Sequence, residues 1–346
     1  MTTMRVNTRR TKTRRLLAAA LTLTLAAAIG GCDVPDDKAN IALGPDSSTT
    51  QQVAHLILNE YGIKDTDYHA HSMRFEDALE GIETGSIDIS MAFLGLPTSS
   101  IASLQAATGD VTLLSLSDDV ITRIENNSDY HRFTISKDSY NFLTKDVHTL
   151  AAYAVLMANT HTINNEMGYQ LAKIMYEKTG QLPHAQSRFM TLNNALNGGQ
   201  NLQIHPGAKR FYEEQGLTVN MPEASLDGVS AKREFIFGTG SQGGTYYPLG
   251  GELTTLWNKQ LPSINITNVA TQASIENLHG IAEDKIDLGM AVHVSAYEAQ
   301  QGMGEFANAK VGNAAFIGQL YPEVFQIVAR TGNRVSAFTD IKTSTP

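Results

Sequence analysis

The segment GIETGSIDISMAF, residues 81–93, returns 199 residues later as GIAEDKIDLGMAV, residues 280–292, with six of thirteen positions identical. Each copy closes a similar passage. NIALGPDSSTTQQVAHLIL (40–58) and EFIFGTGSQGGTYYPLGGELTTLW (234–257) both run from an apolar strand-like stretch through a small-residue turn into a helical pattern. From the turn glycine to the Ile-Asp pair is 43 residues in the first copy (Gly44 to Ile87) and 48 in the second (Gly238 to Ile286). Such a span suits strand–helix–strand–helix–strand with short loops. A 199-residue period is far too long for a solenoid. The expectation is two related α/β lobes.

The 346 residues suffice for two domains of ordinary size, and 42% hydrophobic with 18% charged residues describes a globular chain. The beginning differs. Residues 1–15 carry six basic residues and no acid, and LLAAALTLTLAAAI (16–29) is an uncharged apolar run of fourteen. That is the layout of an export signal, short for a membrane span. It ends in Ile-Gly-Gly-Cys, with the sole cysteine at Cys32. A lone cysteine is ordinarily a small buried core residue. This one resembles the lipidated cysteine of a bacterial lipobox, so 1–32 is expected to be a lipoprotein signal peptide with its lipobox and 33–39 a polar tether. Asp33 resembles an inner-membrane retention signal, and Arg14-Arg15 leaves Sec and Tat export both open. Without the leader the chain keeps 20 basic and 35 acidic residues, net −15, which disfavours nucleic acid. The expected location is periplasmic, held to the membrane by lipid on Cys32.

Beyond the first lobe, residues 117–215 read as mainly helical, from DDVITRIENN, TINNEMGYQLAKIMYEKTG and HPGAKRFYEEQG. TLAAYAVLMAN (149–159) fits a buried strand, although its alanines leave a helix open. Residues 217–233 mix Pro, Gly, Ser and charge and read as a linker.

GTGSQGGTYYPLGG (238–251) is the sharpest site signal. Its glycines free backbone N–H groups at the start of a helix whose dipole places about half a positive charge there, a natural anion site. The plain alternative is a strand-to-helix turn whose glycines only relieve crowding. The stretch also matches the dinucleotide pattern G-x-G-x-x-G, but the following strand INITNVA leads into Thr271-Gln272 and not into the acid that would hold a ribose. Ser47, Ser48, Thr49 and Thr50 precede the first lobe's helix and suit capping, ligand contact or both, as does Ser274. His69 and His71 lack a third metal ligand at a convincing spacing. Asp88 and Asp287, inside the echoes, suit bonding to the local turn better than acid–base work. No metal, cofactor or catalytic constellation is expected.

Residues 234–342 resemble the N-terminal half of the TAXI solute receptors of TRAP transporters, through FGTGSQGGTYYPLGGELTTLWNK, ASIENLHGIAEDKIDLGMA and GQLYPEVFQIVAR. Residues 40–215 resemble that family's C-terminal half, through SIDISMAFLGLPTSSI, VTLLSLSDDVI and IHPGAKRFYEEQGL. The halves stand in reversed order. The resemblance therefore implies an α/β, two-lobed, periplasmic-binding-protein-like (type II, Venus-flytrap) fold that is circularly permuted. Residues 40–130, with 334–346, would form one lobe and 131–333 the other, with 217–233 joining the family's usual termini.

The same resemblance implies a receptor, not an enzyme. It would close on a small carboxylate such as glutamate or a related dicarboxylate and deliver it to the TRAP transporter's membrane subunits. Carried over by position, the ligand contacts would be Thr239, Ser241, Gly243, Gly244, Tyr246, Tyr247, Ser274, Asn277, Tyr321, Ser48, Thr50, Pro97 and Thr98. Two departures stand out. The family usually has glycine at the places of Ser47 and Thr49, and a Gln-Ser-Asp-like set where this chain reads Val292-His293-Val294. A sensory receptor of the same fold and a nucleotide-dependent periplasmic enzyme are the rival readings.

Overall fold

The computed structural model describes residues 38–226, 229, 232–332 and 335–342. The basic leader, Cys32 and most of the expected tether lie outside these residues. The chain first lays down β1 (Ala39–Gly44), α1 (Thr49–Glu60), β2 (Tyr68–Ser72), α2 (Phe75–Thr84), β3 (Ile89–Leu94), α3 (Ser99–Thr108), β4 (Val111–Leu113), α4 (Asp118–Asn127) and β5 (His131–Ile135). The long β6 (Val147–Asn159) then carries it across to α5 (Asn165–Glu177) and α6 (Pro206–Glu214). The second βαβαβ unit follows: β7 (Glu234–Gly238), α7 (Tyr246–Gln260), β8 (Asn265–Val269), α8 (Ser274–Ala282) and β9 (Leu288–Val292). After α9 (His293–Gln301), the 17-residue β10 (Ala314–Arg330) returns to the first lobe, where α10 (Phe338–Lys342) ends the described chain.

The strands form one path, β2-β1-β3-β10-β6-β9-β7-β8, with β4 on β10 and β5 on β6. At each end three strands run parallel, in the orders 2-1-3 and 8-7-9. β6 and β10 pair antiparallel in the middle. Two parallel lobes bridged by two shared strands make the clamshell architecture expected from the echo.

The crossings fall inside the long strands. Leu150 and Ala152 belong to first-lobe cores, whereas Ala154 and Leu156 belong to the second. On β10 the change comes between Tyr321 and Val324. Residues 131–152 thus sit with the first lobe, past the expected boundary at 130, because β5 hairpins onto the first half of β6. Val335, Phe338 and Ile341 also enter the first-lobe core, and Phe338 stacks on Tyr61 at 4.7 Å. In the linker, Met221 and Ala224 are buried, and backbone bonds from Ile204 to Pro222 and from Ala224 to Ile204 hold that stretch to the second lobe. Residues 117–215 are less helical than expected. They include β5 and β6, and between α5 and α6 the chain forms short single-turn helices and loops. The apolar alanine-rich run is strand, because both faces of β6 are covered and a continuous apolar stretch suits a strand buried on both sides.

The echo records a repeated packing solution. A Cβ on Gly81 would come within 2.4 Å of Ile87 Cγ1, and one on Gly280 within 2.5 Å of Ile286 Cδ1. In each lobe a bare helix position lets the isoleucine of the following strand fold back against it. The aspartates reach beyond the local turn, contrary to expectation. Asp88 Oδ2 accepts the N–H of Asn40 at 2.8 Å, and Asp287 Oδ2 accepts that of Ile236 at 2.7 Å. Each therefore ties the third parallel strand of its lobe to the first. Their role is architectural.

Candidate functional site

In a parallel sheet of order 2-1-3, the loops leaving the strand ends part company at the reversal, and that crevice receives ligands. Here the two lobes point their crevices at each other. The loop after β1, the end of β3, the loops after β7 and β8 and the end of β9 enclose a cleft of about 740 Å³, counting the part open to solvent. The walls touch at several points. Ser100 Oγ donates to Gly243 O at 2.6 Å, Gly95 N–H donates to Thr245 Oγ1 at 2.8 Å, and the hydroxyls of Thr49 and Ser295 meet at 2.7 Å.

Five helices begin at this cleft: α1 at Ser48–Thr50, α2 at Arg74-Phe75, α7 at Thr245-Tyr246, α8 at Ala273-Ser274 and α9 just after Val292. Ser48 caps α1, its Oγ accepting the Gln51 N–H at 3.2 Å. Two non-glycine residues here occupy left-handed backbone. Ser47 has φ +54°, a conformation that favours glycine. Ala273 holds φ +69°, ψ −142°, a region almost confined to glycine. Strain of this kind costs on the order of 1–3 kcal/mol and concentrates at ligand sites, where surrounding structure enforces it. Ala273 is pinned by its N–H to Thr271 Oγ1 at 3.1 Å, and Glu276 accepts the Gln272 N–H just ahead of α8.

Of the residues expected from sequence, the cleft brings together Ser48, Thr50, Ser241, Gly244, Tyr246 and Ser274. The others stand behind or beside it. Thr239 is fully buried, its hydroxyl turned to Asn268 and Val269 O. Asn277 is equally buried and splints the lobe, donating to Thr239 O and Met290 O while accepting from Thr271 Oγ1. Gly243 belongs to the seam, where a Cβ would come within 2.7 Å of Glu76 Cβ. Tyr247 accepts the Asn268 side-chain N–H at its carbonyl, 3.0 Å away. Tyr321 packs edge-on beneath Tyr246, ring centres 6.3 Å apart. Thr98 gives its N–H to Tyr140 Oη and its hydroxyl to Gly95 O, and Pro97 precedes it. These positions shape the walls without lining them.

Sequence reasoning passed over Thr245, Ser90, Arg74 and Glu323, all of which line the cleft. Glu323 is 3% exposed, and Tyr246 Oη donates to its Oε2 at 2.6 Å. Burial pushes its carboxyl up to about 8, against the opposing effect of that hydrogen bond, so it is mostly uncharged at neutral pH. The detectable signal was an acid inside the otherwise uncharged run GQLYPEVFQIVA. Arg74, the one basic residue of the lining, is half exposed and already paired with Glu76 at 3.3 Å and Asp77 at 3.1 Å. Among the described residues no group of three or more His, Cys, Asp or Glu could hold a metal ion, and no helix is long and apolar enough to cross a membrane.

The profile of the NMT1-like family matches residues 19–216 and 237–345. Solved structures that align with the chain include the binding protein of an ABC phosphonate transporter from Pseudomonas aeruginosa, at 12% identity and TM-score 0.39 over 89% of this chain and 73% of that one. Another is a phosphate-binding protein of a phosphate ABC transporter from Streptococcus pneumoniae, at 12% identity and TM-score 0.37, covering 88% and 94%. A third is the substrate-binding protein of an amino acid ABC transporter, at 8% identity and TM-score 0.36, covering 88% and 91%.

Proposed function

The chain belongs to the NMT1-like family, and from that premise we propose that it is an extracytoplasmic solute receptor that closes on a small carboxylate. Glutamate or a related dicarboxylate is the expected solute, delivered to the membrane subunits of a TRAP transporter of the TAXI type. One observation carries the reading: five helix N-termini, drawn from both lobes, meet in one cleft where the only basic side chain is already paired. Each helix start contributes about half a positive charge and free N–H donors. An anion shared between the lobes supplies what these donors lack and holds the lobes together, the energetic basis of hinge closure.

Thermal melting of residues 38–346 against amino acids, mono- and dicarboxylates and phosphate tests the reading. A carboxylate at a hundred times its Kd is expected to add about 2.7 kcal/mol of stability. If no small anion raises the melting temperature, the receptor assignment is lost.

The order of the halves is read as a circular permutation. What supports this is the docking of α10 at Tyr61, near the end of α1. In a βαβ unit that end lies beside the start of β1. Residues 338–342 therefore end on the side of the first lobe where β1 begins. A recut chain, running from Lys232 to Pro346, through a short Gly/Ser linker, then from Lys38 to Leu226, is expected to fold and melt cooperatively. Failure of that chain to reach native circular dichroism would count against the permutation.

A further inference from the structure

Glu323 poses a problem that the receptor reading alone does not solve. Glu323 is among the residues lining the cleft at which five helices begin, so its ionised form would compete for the field meant for the solute. Among the described residues no basic group is paired with it. The titratable groups around it are Tyr246 from α7, Tyr321 on its own strand and Tyr130 ahead of β5, all of which feel its charge. Its β-sheet partner is Ala152 on β6, and neighbouring Val324 pairs with Leu94 on β3, so neither of those strands brings a charge opposite it. Arg74, elsewhere in the lining, is engaged with Glu76 and Asp77.

The hydrogen-bond geometry fits the neutral acid. Tyr246 donates to one carboxyl oxygen, which can be the carbonyl oxygen of a protonated Glu323, leaving the acid's own O–H to donate. Ser90, 1% exposed and also lining the cleft, has a hydroxyl without a hydrogen-bond partner among the described residues. Lining the cleft, that hydroxyl is open to a bond from a ligand atom.

Resting on the anion reading above, we propose that Glu323 is a proton-bearing donor to the bound carboxylate, so that solute and proton are held together and lost together. The burial that raises its carboxyl to about 8 gives the pH window. Bound anion favours the protonated form still more. Affinity is therefore level below about pH 7.5 and falls by up to tenfold per unit above the free protein's value. A solute whose ammonium group met Glu323 would show the reverse, because it would need the ionised acid.

The test uses residues 38–346 and four probes: acetate, succinate, glutarate and L-glutamate. Titration calorimetry of the best binder at pH 8, in buffers of different ionisation enthalpy, is expected to show uptake of a sizeable fraction of one proton per site. Glu323→Gln keeps an oxygen for Tyr246 and an N–H for the solute. Whatever its affinity at pH 6.5, it is expected to lose the decline between pH 7.5 and 9. Proton release, or a wild-type affinity that rises with pH while Glu323→Gln abolishes binding, overturns the proposal. Binding with no proton exchange also overturns it and leaves the receptor reading intact. Binding of none of the four at pH 6.5 removes the carboxylate reading and this role with it. The calorimetry needs only the wild-type protein, so it decides the matter even if the variant does not fold.

Discussion

Ser48→Asp is expected to fold as well as the wild type and to bind an anionic solute on the order of a hundredfold more weakly. Ser48 caps α1 through its Oγ and is 5% exposed on the wall of the cleft. Aspartate is as good a cap as serine, and its charge is favoured at a helix start, so stability is unchanged or slightly higher. Its carboxylate then occupies the field that would hold the solute. Two like charges about 5 Å apart, at an effective dielectric constant of about 20, repel by about 3 kcal/mol. Ser48→Asn caps equally well without charge and is expected to keep most of the affinity. Calorimetry separates the two, with thermal melting as the check on folding. Wild-type affinity in Ser48→Asp would mean that no anion sits at this helix.

Asp287→Ala is expected to cost about 3–4 kcal/mol of stability. Asp287 is fully buried, accepts the Ile236 N–H, and receives Lys232 Nζ at 2.7 Å on both oxygens. Its removal strands a buried amide between β7 and β9 and takes away the partner of a lysine that is about one-third exposed. Asp88 is 7% exposed and ties Asn40 in the same manner. Asp287→Asn keeps an acceptor for Ile236 and is expected to recover part of the loss. Urea unfolding of Asp287→Ala and Asp287→Asn measures the losses. A loss below about 1 kcal/mol in Asp287→Ala would show that this buried carboxylate does not hold β7 to β9.

Some of the site could be read before any coordinates because its causes are local. Ser48 stands ahead of an apolar helical pattern, and a cap is decided by residues three apart. The Gly-rich bend before Tyr246 announces a helix start in the same way. The positions carried over by resemblance divided along a different line. Ser241, Gly244 and Ser274 face the cleft, whereas Thr239, Asn277 and Tyr321 lie in the layer behind it. A polar residue near a turn can serve either layer, and its orientation is fixed by neighbours from distant strands. Asn277 shows this: its three partners lie on three separate stretches of the lobe.

The amino-acid order by itself determined the doubled βαβαβ plan. The glycine–isoleucine fit and the strand-tying aspartate depend on contacts within about fifty residues, and both lobes spell them out. Tertiary structure alone decided where β6 and β10 pass between the lobes and which lobe takes residues 131–152. It also brought Glu323 to Tyr246, 77 residues earlier in the chain, in a cleft walled by helix starts from both lobes. The reason is desolvation. A glutamate in a strand is an ordinary acid until the surrounding lobes exclude water from it, and that exclusion is a property of the packed body, with no signature in the residues beside it.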